Sequence, residues 1–284
     1  MTLKTALRRA RDTLAGSGIE DAPLEGELLL KYALNISRTR LYTELERELS
    51  PREEETLWRL VERRRNGEPT AYITTSREFY GLDFYVDPRV LIPRPESELL
   101  VEAALKLAQN RHLSAIADIG TGCVAIAVSL ALELPEAKIY ATDISAPALE
   151  VAGINCRKHG VADRVHLLQG DMLTPIPEPV ELIVANLPYV EKSELTPLRF
   201  EPRLALDGGA EGTERIGQLC RQVGAGLKSG GCLLLEIGQG QENAVTSFLR
   251  RFFPEGEIEV APDLSGIERV ISLSLTSSQA RVAR

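Results

Sequence analysis

Ala115-Ile116-Ala117-Asp118-Ile119-Gly120-Thr121-Gly122-Cys123-Val124-Ala125-Ile126-Ala127 is the stretch that decides the fold of this chain. Its start, 115–117, reads as a short apolar strand, and Cys123 to Leu132 reads as an apolar helix. Asp118-Ile119-Gly120-Thr121-Gly122 joins the two. Glycines at a strand-to-helix junction let the main chain approach a ligand closely, and the helix start offers free N–H groups. Dinucleotide enzymes use similar loops, but here Val124 stands where a third glycine usually follows. The loop therefore suits a ligand without phosphates better than a pyrophosphate.

Outward from that loop the strand pattern repeats. Lys138 to Thr142 reads as a second strand and ends in Asp143. An acid about twenty residues past the glycine loop is placed to bond a ribose diol. With Ser145 and Pro147 behind it, Asp143 also fits the cap of a helix over 148–159. Val165 to Leu168 reads as a third strand, ending near Asp171-Met172, a carboxylate for an exocyclic amine and a thioether for a ring face. Leu182-Ile183-Val184-Ala185 reads as a fourth, buried strand, and Asn186-Leu187-Pro188-Tyr189 follows it. The side-chain oxygen of Asn186 and a backbone carbonyl of the turn can each accept one N–H of a planar NH2 group. Pro188 stiffens the turn, and Tyr189 can lie flat against the amide or base that carries the nitrogen. Acids at consecutive strand ends, next to a nitrogen-gripping turn, describe a pocket for an adenosine-containing, phosphate-free cofactor. S-adenosylmethionine fits that description. The grip itself does not distinguish an amide from an adenine amine.

With these residues in view, the chain resembles the HemK/PrmC group of peptide chain release factor glutamine methyltransferases. The matching stretches are Gly67-Glu68-Pro69-Thr70-Ala71-Tyr72-Ile73, Glu78-Phe79-Tyr80-Gly81-Leu82-Asp83-Phe84, Leu91-Ile92-Pro93-Arg94-Pro95-Glu96-Ser97-Glu98 and Glu201-Pro202-Arg203-Leu204-Ala205-Leu206-Asp207-Gly208-Gly209. The resemblance spans about Glu25 to Val270. It implies an α/β fold of class I S-adenosylmethionine-dependent methyltransferase type. That is a Rossmann-like seven-stranded sheet with its last strand antiparallel, a small N-terminal helical domain and a β-hairpin linker. It implies methyl transfer from S-adenosylmethionine to the side-chain amide nitrogen of the glutamine in the Gly-Gly-Gln motif of a release factor, the protein partner. On the same resemblance Asn186, Pro188 and Tyr189 are catalytic. Asp118, Gly120, Thr121, Gly122, Asp143, Ile144, Asp171, Met172 and Asn186 hold the cofactor. Asn186, Leu187, Pro188 and Tyr189 bind the target, and Arg94, Pro95 and Glu96 form a lid. Two positions depart from the family pattern: Leu187 replaces the first proline of Asn-Pro-Pro-Tyr, and Val124 replaces the loop glycine. Asn-Leu-Pro-Tyr is closer to the rRNA adenine dimethylases. A nucleic-acid adenine-N6 methyltransferase and a non-catalytic cofactor-fold protein are therefore the alternative readings.

Composition narrows these readings. The 284 residues suit one large domain plus a smaller one, and 44% apolar content fills a sizeable core. A net charge of −8 argues against a broad nucleic-acid grip, which wants a basic face. Arg63-Arg64-Arg65 is the densest basic run and reads as the solvated end of a helix. Cys123, Cys156, Cys220 and Cys232 are far apart and in apolar or helical surroundings, so buried reduced thiols and a cytoplasmic setting are expected, with no metal. No apolar run is long enough to span a membrane, and a monomer is expected.

Pattern divides the chain into 1–70, an N-terminal helical substrate-docking domain; 71–96, hairpin and linker; 97–276, the catalytic domain; and 277–284, a flexible tail. Asp21 with Pro23 is expected to open one helix, and Ser50-Pro51-Arg52-Glu53 another through a capping box. Tyr72 to Val86 reads as an aromatic-rich hairpin, 97–110 as a helix, and 231–237, 257–260 and 269–275 as further strands.

Overall fold

The computed structural model describes residues 1–195 and 200–275; the expected tail at 277–284 lies outside the described residues. The chain divides into two compact units, Met1–Ser76 and Arg77–Arg284.

The first unit is helical: α1 (Leu3–Ala15), α2 (Ala22–Leu34), α3 (Arg38–Thr43), α4 (Pro51–Arg65) and α5 (Thr70–Thr74). Helical spacing puts Leu3, Ala6, Leu7, Ala10 and Leu14 of α1 on one buried stripe, which packs with Leu29 and Leu30 of α2 and Leu57, Leu60 and Val61 of α4. The capping box at Ser50 forms as expected, with Ser50 Oγ accepting from Glu53 N–H and Glu53 accepting from Ser50 N–H. Asp21 occupies the position before α2 but makes no side-chain cap. The arginines at the end of α4 are matched by acids: Arg63 pairs with Glu68, Arg64 with Glu25 and Arg65 with Glu62. The run is thus a charge-balanced helix end rather than a bare basic patch.

The expected hairpin is shorter than 72–86. Tyr72 belongs to α5, which follows Pro69 and stops at Thr75 in the left-handed conformation. The hairpin is β1 (Ser76–Phe79) and β2 (Leu82–Tyr85), joined by Tyr80 and Gly81 at φ of 52° and 71°. Two left-handed residues in a two-residue loop match the right-handed twist of the strands they join.

The second unit continues with α6 (Glu98–Ala108), β3 (Ala115–Ile119), α7 (Ala125–Glu133), β4 (Lys138–Asp143), α8 (Ala146–Lys158), β5 (Val165–Gln169), β6 (Val180–Ala185), β7 (Val190–Glu191), β8 (Asp207–Gly209), α9 (Glu214–Gly226), β9 (Leu227–Glu236), α10 (Glu242–Phe252), β10 (Glu257–Pro262) and β11 (Glu268–Ser274). Among the described residues seven strands form one sheet in the order β10-β11-β9-β6-β3-β4-β5. β11 runs antiparallel to both neighbours, while β9, β6, β3, β4 and β5 are parallel. β3 is buried along its whole length, as a central parallel strand covered on both faces must be. Ala117, Ile119, Ile183, Ala185, Leu233 and Leu235 share a core with Ile216, Leu219 and Val223 of α9 and Val245 and Leu249 of α10. Alternate strand residues face the other way, where α6 meets β6 and β9 and α7 meets β4.

The strand order places the site. The chain moves outward from β3 to β4 to β5, then returns with β6 on the other side of β3. The connections after β3 and β6 therefore part at the carboxyl edge and leave a crevice there, the usual ligand position of open α/β sheets.

Candidate active site

The crevice is a cavity lined by both connections. Gly120, Gly122, Asp143, Ile144, Asp171, Met172, Asn186, Leu187 and Pro188, all expected at the site, line it. Asp118, Thr121, Tyr189, Arg94, Pro95 and Glu96, also expected there, do not. Arg89, Val90 and Leu91 form another wall, and Pro202, Leu204, Ala205 and Arg215 a third; sequence reasoning gave these residues no place in the pocket. Their signal was present in part, since Leu91 and 201–209 lie in the family-like stretches.

The loop after β3 is held by main chain. Gly120 N–H and Thr121 N–H both donate to the Thr142 carbonyl, at 2.9 Å each. Gly120 has φ of 71°, and a Cβ there would lie 3.2 Å from Leu187 Cδ2, so the two connections meet where only a hydrogen fits comfortably. Asp118 is buried beneath the loop, where its Oδ2 accepts from the Thr121 hydroxyl at 2.5 Å. Burial pushes its pKa up to about 6. Asp118 thus acts on the loop from below and does not reach the cavity.

Asp143 does two things at once. Its Oδ2 accepts from Gly122 N–H at 3.0 Å and its Oδ1 from Ser145 N–H at 2.8 Å, while its carboxylate borders the cavity. Burial raises its pKa as well. The cap of α8 is Ser145, which accepts from Ala148 N–H, so Asp143 is free of that duty.

Val124 stands in the left-handed conformation that favours glycine. It precedes α7 with φ of 69°, and its side chain is fully buried. A β-branched residue pays about 1–2 kcal/mol for the left-handed region, and a buried valine returns about as much in apolar burial. Val124 does not line the cavity.

The turn after β6 is held by side chains from afar. Asn186 Nδ2 donates to Ser97 Oγ at 2.8 Å, and Ser97 Oγ donates to Glu236 Oε2 at 2.5 Å. The Tyr189 hydroxyl donates to Glu236 Oε1 at 3.1 Å. Glu236 is 1% exposed, and burial raises its pKa; burial and the Glu236 carboxylate together raise that of Tyr189. Tyr189 is anchored by its hydroxyl and is not among the residues that line the cavity. Ser97 and Glu236 carried no site reading. The signal was a carboxylate closing the apolar run Cys232-Leu233-Leu234-Leu235, since a charge so buried needs partners.

Behind the turn, β7 pairs with β8. Gly208 lies so close that a Cβ would stand 2.7 Å from Tyr189 Cα, 2.8 Å from the Pro188 carbonyl oxygen and 2.6 Å from that of Gly212. Gln241 Nε2 adds a bond to the Tyr189 carbonyl at 2.9 Å. The expected lid residue Arg94 pairs with Glu201 Oε2, while Glu201 Oε1 accepts from Ile92 N–H at 3.0 Å, so Glu201 ties the proline-punctuated segment down.

The cavity fits the expected cofactor class. Asp143 offers a carboxylate to a diol, and Ile144, Leu204 and Met172 offer apolar surface to a base. Thr142 Oγ1 is buried with no partner among the described residues and belongs to a residue of the cavity wall.

Two family models match, the PrmC N-terminal domain over residues 5–74 and the methyltransferase small domain over residues 95–200. A release factor glutamine methyltransferase of Moorella thermoacetica is 45% identical over 274 residues, covering 95% of this chain and 97% of that protein. The chain belongs to the release factor glutamine methyltransferase family. A second member, from Neisseria gonorrhoeae, is 41% identical, covering 89% of this chain and 94% of that protein. A solved methyltransferase structure from Pyrococcus furiosus shares the fold at 19% identity and a TM-score of 0.53, covering 69% of this chain and 90% of that one. The class I methyltransferase fold expected from sequence is the fold of this family member, with β11 the antiparallel seventh strand.

Proposed function

We propose that this chain transfers a methyl group from S-adenosylmethionine to the side-chain amide nitrogen of the glutamine in the Gly-Gly-Gln motif of peptide chain release factors. The observation that carries the reading is the Asn186 turn, at the crevice between β3 and β6 and opposite the glycine loop. The cofactor, when bound, supplies an activated methyl on a sulfonium. Asp143 would accept from its ribose diol, Ile144, Met172 and Leu204 would offer apolar surface to its base, and the glycine loop would hold its methionine portion. Asn186 Oδ1 and a turn carbonyl accept the two amide hydrogens, which leaves the nitrogen facing the methyl. Orientation of this kind is worth roughly 7–11 kcal/mol in favourable cases, and no strong base is needed if the proton leaves after transfer. Charge that grows on nitrogen is stabilised by the same acceptors.

One glutamine side chain offers little to recognise, so selectivity requires a second contact. The unit Met1–Ser76 is proposed to dock the folded release factor away from the Gly-Gly-Gln loop. The test uses labelled cofactor with intact release factor, a short Gly-Gly-Gln peptide, tRNA and rRNA. Label should enter the release factor and be lost when its motif glutamine is replaced, and the peptide should react with lower kcat/KM than the intact factor. Label in RNA alone would overturn the substrate, and equal kcat/KM for peptide and protein would overturn the docking role. Absence of cofactor binding would favour a non-catalytic protein.

A further inference from the structure

We propose that Ser97 and Glu236 are positioning residues that fix which end of the Asn186 side-chain amide faces the cavity. The inference rests on the reading of Asn186 as the acceptor of a substrate N–H. The three side chains lie 89 and 139 residues apart in sequence and meet in one relay, buried at Ser97 and Glu236 and part-buried at Asn186. Its direction follows from the donor inventory. Each Glu236 oxygen receives a hydroxyl, one from Ser97 and one from Tyr189, as befits a carboxylate, which only accepts, so the single hydroxyl proton of Ser97 goes to Glu236. The Ser97 oxygen is then left as an acceptor, and only the NH2 end of Asn186 satisfies it. Were the amide turned over, Asn186 Oδ1 and Glu236 would compete for one proton, and a buried acceptor would lose its partner, which is costly. The second carboxylate oxygen is filled by the Tyr189 hydroxyl, so Glu236 ties both ends of the turn into the same relay. Both Ser97 and Glu236 are nearly inaccessible, at 3% and 1% exposure, so water does not substitute for either. The consequence is that Asn186 Oδ1, the group wanted by a substrate amide, is presented before the substrate arrives.

The test compares Ser97→Ala, Ser97→Thr and Glu236→Gln with the wild type. Ser97→Ala removes the acceptor, so kcat on the release factor should fall about tenfold or more, in keeping with a supporting residue lost behind a reacting group. Cofactor Kd should stay within about twofold. Ser97→Thr restores a hydroxyl and should recover most of the rate. Glu236→Gln lets an NH2 face Ser97 and should give an intermediate loss. The readout that does not depend on the substrate is the Asn186 side-chain NH2 signal in NMR, identified by its absence in Asn186→Ala. Its hydrogen exchange should quicken about tenfold or more in Ser97→Ala and return in Ser97→Thr. Unchanged exchange, or kcat in Ser97→Ala within about twofold of wild type, would overturn the positioning role. Exchange that responds as expected in a protein inactive on release factor would instead overturn the proposed substrate and leave the positioning role standing.

Discussion

The loop after β3 and the turn after β6 face each other across one crevice, and they are held by different means. The loop is a main-chain object. Its geometry comes from left-handed residues Gly120, Gly122 and Val124, from amides bonded to the Thr142 carbonyl, and from Asp118 and Asp143, all within 118–145. The turn is a side-chain object. It depends on Ser97, Glu236, Gln241 and the close approach of Gly208, which arrive from elements far along the chain. The difference matches the tasks proposed for the two. A cofactor of fixed shape can be met by backbone amides and a short run of sequence. An acceptor oxygen aimed at a single N–H must be locked in rotation, and only packed neighbours do that.

If the division is right, damage to the turn should fall on rate and damage to the loop on cofactor affinity. The largest effect is expected for Asn186→Ala, with single-turnover methylation reduced by about two orders of magnitude or more and cofactor affinity nearly intact. Rates within a few fold of wild type would remove Asn186 from the grip. Next comes the acid under the loop. The folded-state pKa of Asp118 is raised to about 6, so the folded protein holds that proton more tightly than the unfolded chain does. Its stabilisation is full below the unfolded carboxylate pKa and is lost as pH rises toward 6. Urea unfolding of the cofactor-free wild type and of Asp118→Asn should therefore diverge. The wild type should lose up to about 3 kcal/mol relative to the variant between about pH 4 and 6, and nothing more above that. A constant difference across that range would contradict a buried, proton-holding Asp118.

Asp143→Ala should weaken cofactor binding by about 1.5–3 kcal/mol, since it removes a charge-assisted acceptor as well as support for Gly122. Calorimetry giving unchanged affinity would exclude Asp143 from the cofactor site. Gly208→Ala tests the other side, because all three near neighbours of the added Cβ are backbone atoms. It should cost about 1–3 kcal/mol of stability and reduce kcat more than cofactor affinity. The reverse ranking would show that Gly208 supports the cofactor side instead. The smallest effect is expected at Val124→Gly. Val124 does not line the cavity, so affinity should change less than tenfold, about 1.4 kcal/mol. A much larger gain would mean that the natural loop is impaired.

Much of this protein was written in local order. The apolar run 182–185, the glycine loop and the acid at Asp143 each announce themselves through periodicity or residue type within about thirty positions, which is the range over which strand–loop–helix units are built. The capping box at Ser50 was legible for the same reason, because its bonds close within one turn. Asp21 and Pro23 open α2 as read, although Asp21 makes no side-chain cap, and where purely local reading failed a competing local element had won: Tyr72 joined α5 rather than the hairpin.

The sequence by itself therefore determined the class of fold, the identity of the Asn186 turn and the loop opposite it. The tertiary structure alone decided that Asp118 and Tyr189 stand behind the cavity rather than in it. It also brought Arg89, Leu91, Leu204 and Arg215 to its walls, and tied Arg94 to Glu201. Above all it joined Ser97, Glu236 and Asn186 into one relay. The reason is physical: periodicity records which face of an element is apolar, but a hydrogen bond between distant side chains exists only once packing has fixed where both ends lie and has removed the water that would otherwise satisfy them.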